Sequence, residues 1–360
     1  MPERIFNFSP GPAVLPQSVL EQAAKDIVNF NNKGMGLIEM SHRSKDFMAV
    51  LDEAEALIRE LLAVPTNYKV LFLQGGASSQ FFMVPMNLLG PGKKATYLNT
   101  GVWAGKAIKE AKAFGQVDVA YTGEPNRFKH VPTDDEYSVA ADSEYLHLCS
   151  NNTIYGTRFP KFPDKGCMLI SDMSSDIMSR PVDVSKFGII YAGAQKNMGP
   201  AGVTIVIIRE DLLDRCPATV PAMLKYKTHA DKGSMYNTPP TFAIYCVGLV
   251  MRWLKEQGGL AAMERRNEEK AALVYQAIDA TDFYRGHAEK ECRSLMNISF
   301  NLPTAELEAK FIKEAAAVNL DGLKGHRDVG GCRASIYNAF PLEGVQKLVE
   351  FMAEFAKKNG

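Results

Sequence analysis

LISDMSSDIMSRPVDVSKFGIIYAGAQKNMGPAG, residues 169–202, decides how the chain folds. Two short apolar runs in it each end at one reactive residue: Leu169-Ile170-Ser171 at Asp172, and Ile189 through Gln195 at Lys196. Short apolar runs bounded by turn formers read as strands buried on both faces. A carboxylate and an amine are therefore delivered from two strand ends. Gly199-Pro200-Ala201-Gly202 then makes a turn, and Val203 through Ile208 is a third strand. So short a connection predicts that this strand runs antiparallel to its predecessor.

Upstream, Tyr145-Leu146-His147-Leu148 is a strand followed by a polar loop, Ser150 through Thr157, whose hydroxyls and amides can reach a ligand. His147, inside an apolar run, reads as a core histidine. Lys69 through Leu73 is a strand broken by Gly75-Gly76, after which Ala77-Ser78-Ser79 opens an apolar segment. A glycine turn into a helix start fits a tight turn, and it equally fits an anion cup of unpaired N–H groups. Thr96-Tyr97-Leu98 precedes Trp103, which suits core filling or a place at the sheet edge where ligands of open α/β sheets bind. Phe47 through Leu62 has helical periodicity, and Ser18 with Glu21 is spaced as a capping box ahead of an earlier helix. The segment between them reads as a loop carrying His42 and Arg43.

Downstream, Thr238 is expected as the N-cap of a buried apolar helix over 241–257, with Pro239 and Pro240 in its first turn. A helix charged on one side follows over 259–280 and bridges to a second unit. From about Asp282 the pattern becomes strand (296–300), helix (305–318), loop (320–331), strand (333–337) and helix (343–356), a small α+β domain. Its loop gathers Lys324, His326, Arg327 and Arg333 among glycines. Surface charge explains most such runs, but Arg333 opens an apolar strand, where a cation is costly without an anion.

The 360 residues hold 41 basic and 41 acidic side chains, so no global field points to nucleic acid or an anionic membrane. The six cysteines lack CxxC spacing and read as small buried hydrophobes, with no metal site, in a reducing, cytoplasmic setting. The segment MPERIFNFSPGP has no apolar stretch typical of a signal peptide, and the most apolar helix, 242–254, is too short to span a bilayer and contains Arg252.

A lysine at a strand end, a buried carboxylate, a phosphate-binding helix start and an aromatic plate are the parts pyridoxal phosphate requires. In that order of parts, and in GAQKNMGPAG (193–202), the sequence resembles the class V aminotransferases among the fold-type I pyridoxal 5'-phosphate enzymes. The likeness extends through FNFSPGPAVLP (6–16), GLIEMSHRS (36–44), LQGGASSQF (73–81), NTGVWAGKA (99–107), SNNTIYGT (150–157), YNTPP (236–240) and GHRDVGGCRAS (325–335).

The resemblance implies an α/β fold with a mostly parallel seven-stranded sheet between helices. It implies a large cofactor-binding domain over 16–260 and a small domain made of 1–15 with 261–360. Lys196 would carry the cofactor and shuttle protons, Asp172 would pair with its ring nitrogen, Trp103 would stack on the ring, and Thr153 would lie near the ring hydroxyl. Ala77, Ser78 and Gln195 would hold the cofactor phosphate, joined by Asn237 and Thr238 from a second subunit of a homodimer. Arg333 would take the substrate α-carboxylate, while His42, Arg43, His326 and Arg327 would take a phosphate or side-chain carboxylate. Ser78 departs from the many members that carry arginine there. The implied substrates are L-glutamate with 3-phosphohydroxypyruvate, giving O-phospho-L-serine, and in some members 3-hydroxy-2-oxo-4-phosphooxybutanoate. Two readings compete: alanine–glyoxylate transamination or desulfuration within the same class, and a non-catalytic phosphate or cofactor binder.

Overall fold

The computed structural model describes residues 4–360; residues 1–3, which begin the segment read for a signal peptide and assigned to the small domain, lie outside the described residues. In chain order the elements are β1 (Phe6–Asn7), α1 (Gln17–Val28), α2 (Lys45–Leu62), β2 (Tyr68–Leu73), α3 (Gly76–Leu88), β3 (Lys94–Asn99), α4 (Val102–Ala111) and β4 (Gln116–Thr122). Next come β5 (Ser143–Cys149), β6 (Leu169–Asp172), β7 (Phe187–Gly193), β8 (Thr204–Arg209), α5 (Tyr226–Asp231), α6 (Thr241–Glu256) and α7 (Gly259–Asp279). The chain ends with β9 (Arg285–Gly286), β10 (Asn297–Asn301), α8 (Ala305–Ala317), β11 (Leu320–Asp321), β12 (Cys332–Ser335) and α9 (Leu342–Asn359).

Seven strands form one sheet in the order β2-β8-β7-β6-β5-β3-β4. Only β8 runs against its neighbours, pairing antiparallel with both β7 and β2, as the short Gly199–Gly202 turn demands. β6 and β7 are buried along their whole length, which is why they read as unbroken apolar runs and not as alternating ones. One face packs on α2 and α6, the other on α3, α4 and α5. The α2 helix starts at Ser44, whose hydroxyl accepts from the Phe47 N–H, and it buries the stripe Phe47, Val50, Leu51, Ala54, Leu57, Ile58 and Leu62. Gly248 of α6 sits against Ala54, so the two helices approach closely.

A third core joins Phe8 and Val14 to residues of α7, β10, α8, β12 and α9. Here β12, β10 and β9 form an antiparallel sheet, and β1 pairs in parallel with β11.

Two helix starts differ from the sequence reading. The first helix begins at Gln17, because the Pro16 carbonyl already accepts from the Val19 and Leu20 N–H groups. Ser18 therefore lies inside the first turn, and Gln17 rather than a cap reaches Glu21, at 2.8 Å. Thr238 is exposed and is not a cap; α6 begins at Thr241, after both prolines. A residue preceding proline is pushed out of the helical region, which excludes Thr238 and Pro239 from the first turn.

Candidate active site

Because β3, β5, β6 and β7 are parallel, their C-terminal ends open on the same edge of the sheet, where ligands of such sheets bind. Asp172 closes β6, Trp103 lies in the first turn of α4 after β3, and Thr153 and Lys196 lie in the turns after β5 and β7. One cavity is lined by all four together with Gly76, Ala77, Ser78 and Gln195. The glycine turn is part of it: Gly75 has φ +89°, and a Cβ there would meet the Ser79 hydroxyl at 2.0 Å. That turn aims the first N–H groups of α3 at the cavity.

Lys196 lies in the turn after β7, where the Met198 and Gly199 N–H groups both return to the Ala194 carbonyl. Its amine donates to the Thr153 hydroxyl at 2.5 Å and lies 6.0 Å from the centre of the Trp103 ring. Burial pulls this amine down to about 8, the nearby Arg333 adds to the effect, and Asp172 opposes it. Asp172 is 7% exposed. Its Oδ1 accepts from the Ser174 N–H at 2.9 Å. Burial pushes its carboxyl up, against the lowering effect of Ser174 and Lys196. Among the described residues no salt bridge joins Asp172 to Lys196, so each is free to address a different part of one ligand. The Trp103 indole N–H is buried without a partner.

Arg333 of β12 is 6% exposed and reaches the same place from the C-terminal core. Its Nη1 donates to the Thr153 carbonyl at 3.3 Å, its Nε is buried without a partner, and burial pulls the guanidinium down. No carboxylate among the described residues pairs with it. A buried cation in that state is an anion site.

The remaining candidates are not drawn into this cavity within one chain. His326 and the exposed Arg327 lie near Asp328 at 3.6 Å, on the loop that precedes β12. His42 and Arg43 lie beyond α1; His42 Nε2 is buried without a partner, and no hydrogen bond or ion pair among the described residues joins either of them to His326, Arg327 or Arg333. Asn237 and Thr238 are not among the residues lining the Lys196 cavity; the Thr238 carbonyl accepts from Gln74 Nε2 at 3.1 Å.

Cys149, Ser174 and Ser175 also line the cavity, and the sequence reading passed over them. Strand register could have found the first: Cys149 stands opposite Asp172 in the β5–β6 ladder, so both side chains share a face. His147 is a core residue, as its surroundings in sequence implied: its Nε2 pairs with the Tyr191 hydroxyl at 2.9 Å, and burial pulls it down to about 3.

The family model described as aminotransferase class-V matches residues 5–348. The chain belongs to the class V aminotransferases. A phosphoserine aminotransferase of Desulfotalea psychrophila (strain LSv54) is 68% identical over 359 residues, covering 100% of this chain and 99% of that one. One from Nitrosomonas europaea is 56% identical, with 99% of each chain covered. The solved phosphoserine aminotransferase of Bacillus circulans subsp. alkalophilus superposes with a TM-score of 0.97 at 50% identity, covering 99% of both chains. A pyridoxal-phosphate-bound phosphoserine aminotransferase from Trichomonas vaginalis gives 0.93 at 43% identity, covering 97% of this chain and 100% of that one.

The cofactor of this class V enzyme is pyridoxal 5'-phosphate, and the residues present fit it. A half-buried amine with lowered proton affinity, a buried carboxylate without a cationic partner, an indole face and a glycine-rich helix start surround one space. These match an aldehyde, a basic ring nitrogen, a flat ring and a phosphate.

Proposed function

We propose that the chain transfers the amino group between L-glutamate and 3-phosphohydroxypyruvate, giving 2-oxoglutarate and O-phospho-L-serine. The observation that carries this reading is the unpaired, buried guanidinium of Arg333, joined through Thr153 to the amine of Lys196. An amino acid presented there has its α-carboxylate on a cation and its α-carbon near a base. The choice of the phosphorylated substrate draws on the full-length relatives named phosphoserine aminotransferase.

Pyridoxal phosphate, when bound, supplies a ring that takes up the electrons left at the α-carbon. Lys196 carries protons at that carbon, since a lowered amine alternates between base and acid near neutral pH. Asp172 holds a proton at the ring nitrogen, Trp103 covers one ring face, and Thr153 orients the amine. Ala77 and Ser78 offer main-chain N–H groups and Gln195 an amide to the phosphate. Ser78 supplies a hydroxyl where many class members place a guanidinium.

Asn237 and Thr238, which lie outside their own chain's cavity, complete the phosphate site of a second copy in a homodimer. His42, Arg43, His326 and Arg327 form the cluster that binds the substrate's distal dianion, so one cluster serves both halves of the cycle. Residues 16–260 act as the cofactor domain, with 1–15 and 261–360 as a small domain bringing Arg333. No helix among the described residues is long and apolar enough to cross a membrane. The cysteines are all free, which supports a cytoplasmic setting.

A visible absorption spectrum of the purified protein tests this directly. Phosphoserine and glutamate should each bleach the cofactor band while alanine leaves it unchanged. Bleaching by alanine at the same concentration would favour the alanine–glyoxylate reaction instead.

A further inference from the structure

The turn after the Arg333 strand is held by side chains that the proposed chemistry does not use. Lys270 of α7 is fully buried, and its amine donates to the carbonyls of Ile336 at 3.0 Å, Tyr337 at 2.7 Å and Phe340 at 3.1 Å. Three acceptors match the three N–H groups of an ammonium. No carboxylate among the described residues pairs with it, so its partner is the backbone of one turn. Almost one turn earlier on the same helix face, Asn267 donates from Nδ2 to Asn338 Oδ1 at 2.8 Å and to the Ser179 carbonyl at 3.2 Å.

Asn338 extends the clamp toward the site. Its main-chain N–H donates to Asn197 Oδ1 at 3.0 Å, and its Nδ2 donates to the Met178 carbonyl at 2.8 Å. Asn197 is the residue after Lys196, and Ile336 is three residues beyond Arg333. Every member of this chain of contacts is buried. One rigid turn therefore ties the strand that carries the guanidinium to the turn that carries the amine. Buried polar contacts of this number hold the turn in place, although Asn267 Oδ1 is left without a partner.

We infer that Lys270, with Asn267 and Asn338, is a positioning residue that fixes the 336–340 turn and thereby the separation between Arg333 and Lys196. The inference rests on the transaminase reading, in which Arg333 holds the substrate carboxylate and Lys196 serves the α-carbon. A misplacement of about 1 Å between such groups costs on the order of a hundredfold in rate. Lys270 touches neither substrate nor cofactor and acts through the turn alone.

The test compares the cofactor-loaded parent with Lys270→Met and with Asn338→Ala. Five quantities are read: KM for phosphoserine and for glutamate, kcat, the dissociation constant of maleate as a non-reacting dicarboxylate, and the visible cofactor band. In Lys270→Met, both KM values and the maleate constant should rise about tenfold or more, with the band retained. Asn338→Ala should shift them in the same direction by a smaller factor. The double variant should fall short of the product of the two, because both act on one turn. Folded variants of lowered thermal midpoint whose KM values and maleate affinity match the parent would overturn the inference. Should Lys270→Met not fold, Asn338→Ala alone decides by the same readouts. A parent protein that does not turn over phosphoserine overturns the transaminase reading, and shows this before any variant is made; maleate binding still reports on Arg333.

Discussion

Lys196 Nζ donates to the Thr153 hydroxyl at 2.5 Å, and the carbonyl of the same threonine accepts from Arg333 Nη1 at 3.3 Å. One residue of the β5–β6 loop thus holds the amine with its side chain and the guanidinium with its backbone. The proposed proton carrier and the proposed carboxylate site are positioned by a common part.

The lowered proton affinity of Lys196 sets a pH dependence. With the amine at about 8 in the folded protein, about one tenth of it is neutral at pH 7. Cofactor uptake by the cofactor-free protein needs that neutral amine, so its rate should climb between about pH 7 and about pH 9. A rate flat across this window, followed by the growth of the visible band, would contradict the assignment. The sign for stability follows from the same shift. The folded value of about 8 lies below the ordinary 10.5, so between them the unfolded chain binds more protons than the folded one. This group therefore makes stability rise with pH across that window.

Asp172→Asn keeps the shape of a buried side chain that lines the cavity. The neutral amide does not hold a proton on the ring nitrogen. Turnover should fall by about a hundredfold or more while most cofactor binding persists, as read by kcat beside the visible band. Turnover equal to the parent would support a protein that merely binds the cofactor.

Arg333→Gln removes the one buried cation of β12 that no carboxylate satisfies. Truncating a buried charge pair costs about 2 kcal/mol or more, so KM for glutamate and for phosphoserine should both rise at least about thirtyfold. Arg333→Lys should recover only part of this, because a point charge does not make the two-pronged bond. A change confined to one substrate would mean that Arg333 contacts the distal anion.

Gly156→Ala tests the loop that carries Thr153. Gly156 has φ +73°, and a Cβ there would stand 2.8 Å from the Asn297 carbonyl. The left-handed backbone alone costs a non-glycine residue about 1–3 kcal/mol, and the contact adds to it. The denaturation midpoint should drop, and reconstitution with cofactor should weaken because Thr153 orients Lys196.

The antiparallel return of β8 and the placement of Asp172 and Lys196 at strand ends were legible in residues 169–208, and the alternating β/α order in the chain on either side. Such features follow from local periodicity and connection length, which a sequence carries directly. The helix over 259–280 read only as charged on one side, and nothing in that reading singled out Lys270. Its spacing with Leu260, Met263, Asn267, Ala271, Val274 and Ile278 marks it as part of the buried stripe, yet spacing does not supply its three carbonyl partners. Those partners lie 66 to 70 positions away, in a turn whose backbone path no local pattern encodes.

By itself, then, the sequence determined the longer elements, their order and the residue types that reach the strand ends, while the short strands β1, β9 and β11 and the helix α5 were not read from it. Only the tertiary structure decided that Arg333 meets Thr153 across 180 positions, and among the described residues no hydrogen bond or ion pair joins His42 or Arg43 to it. The physical reason is that strand register and crossover connections, not spacing along the chain, determine which side chains share a cavity, and they are fixed by packing of the whole core.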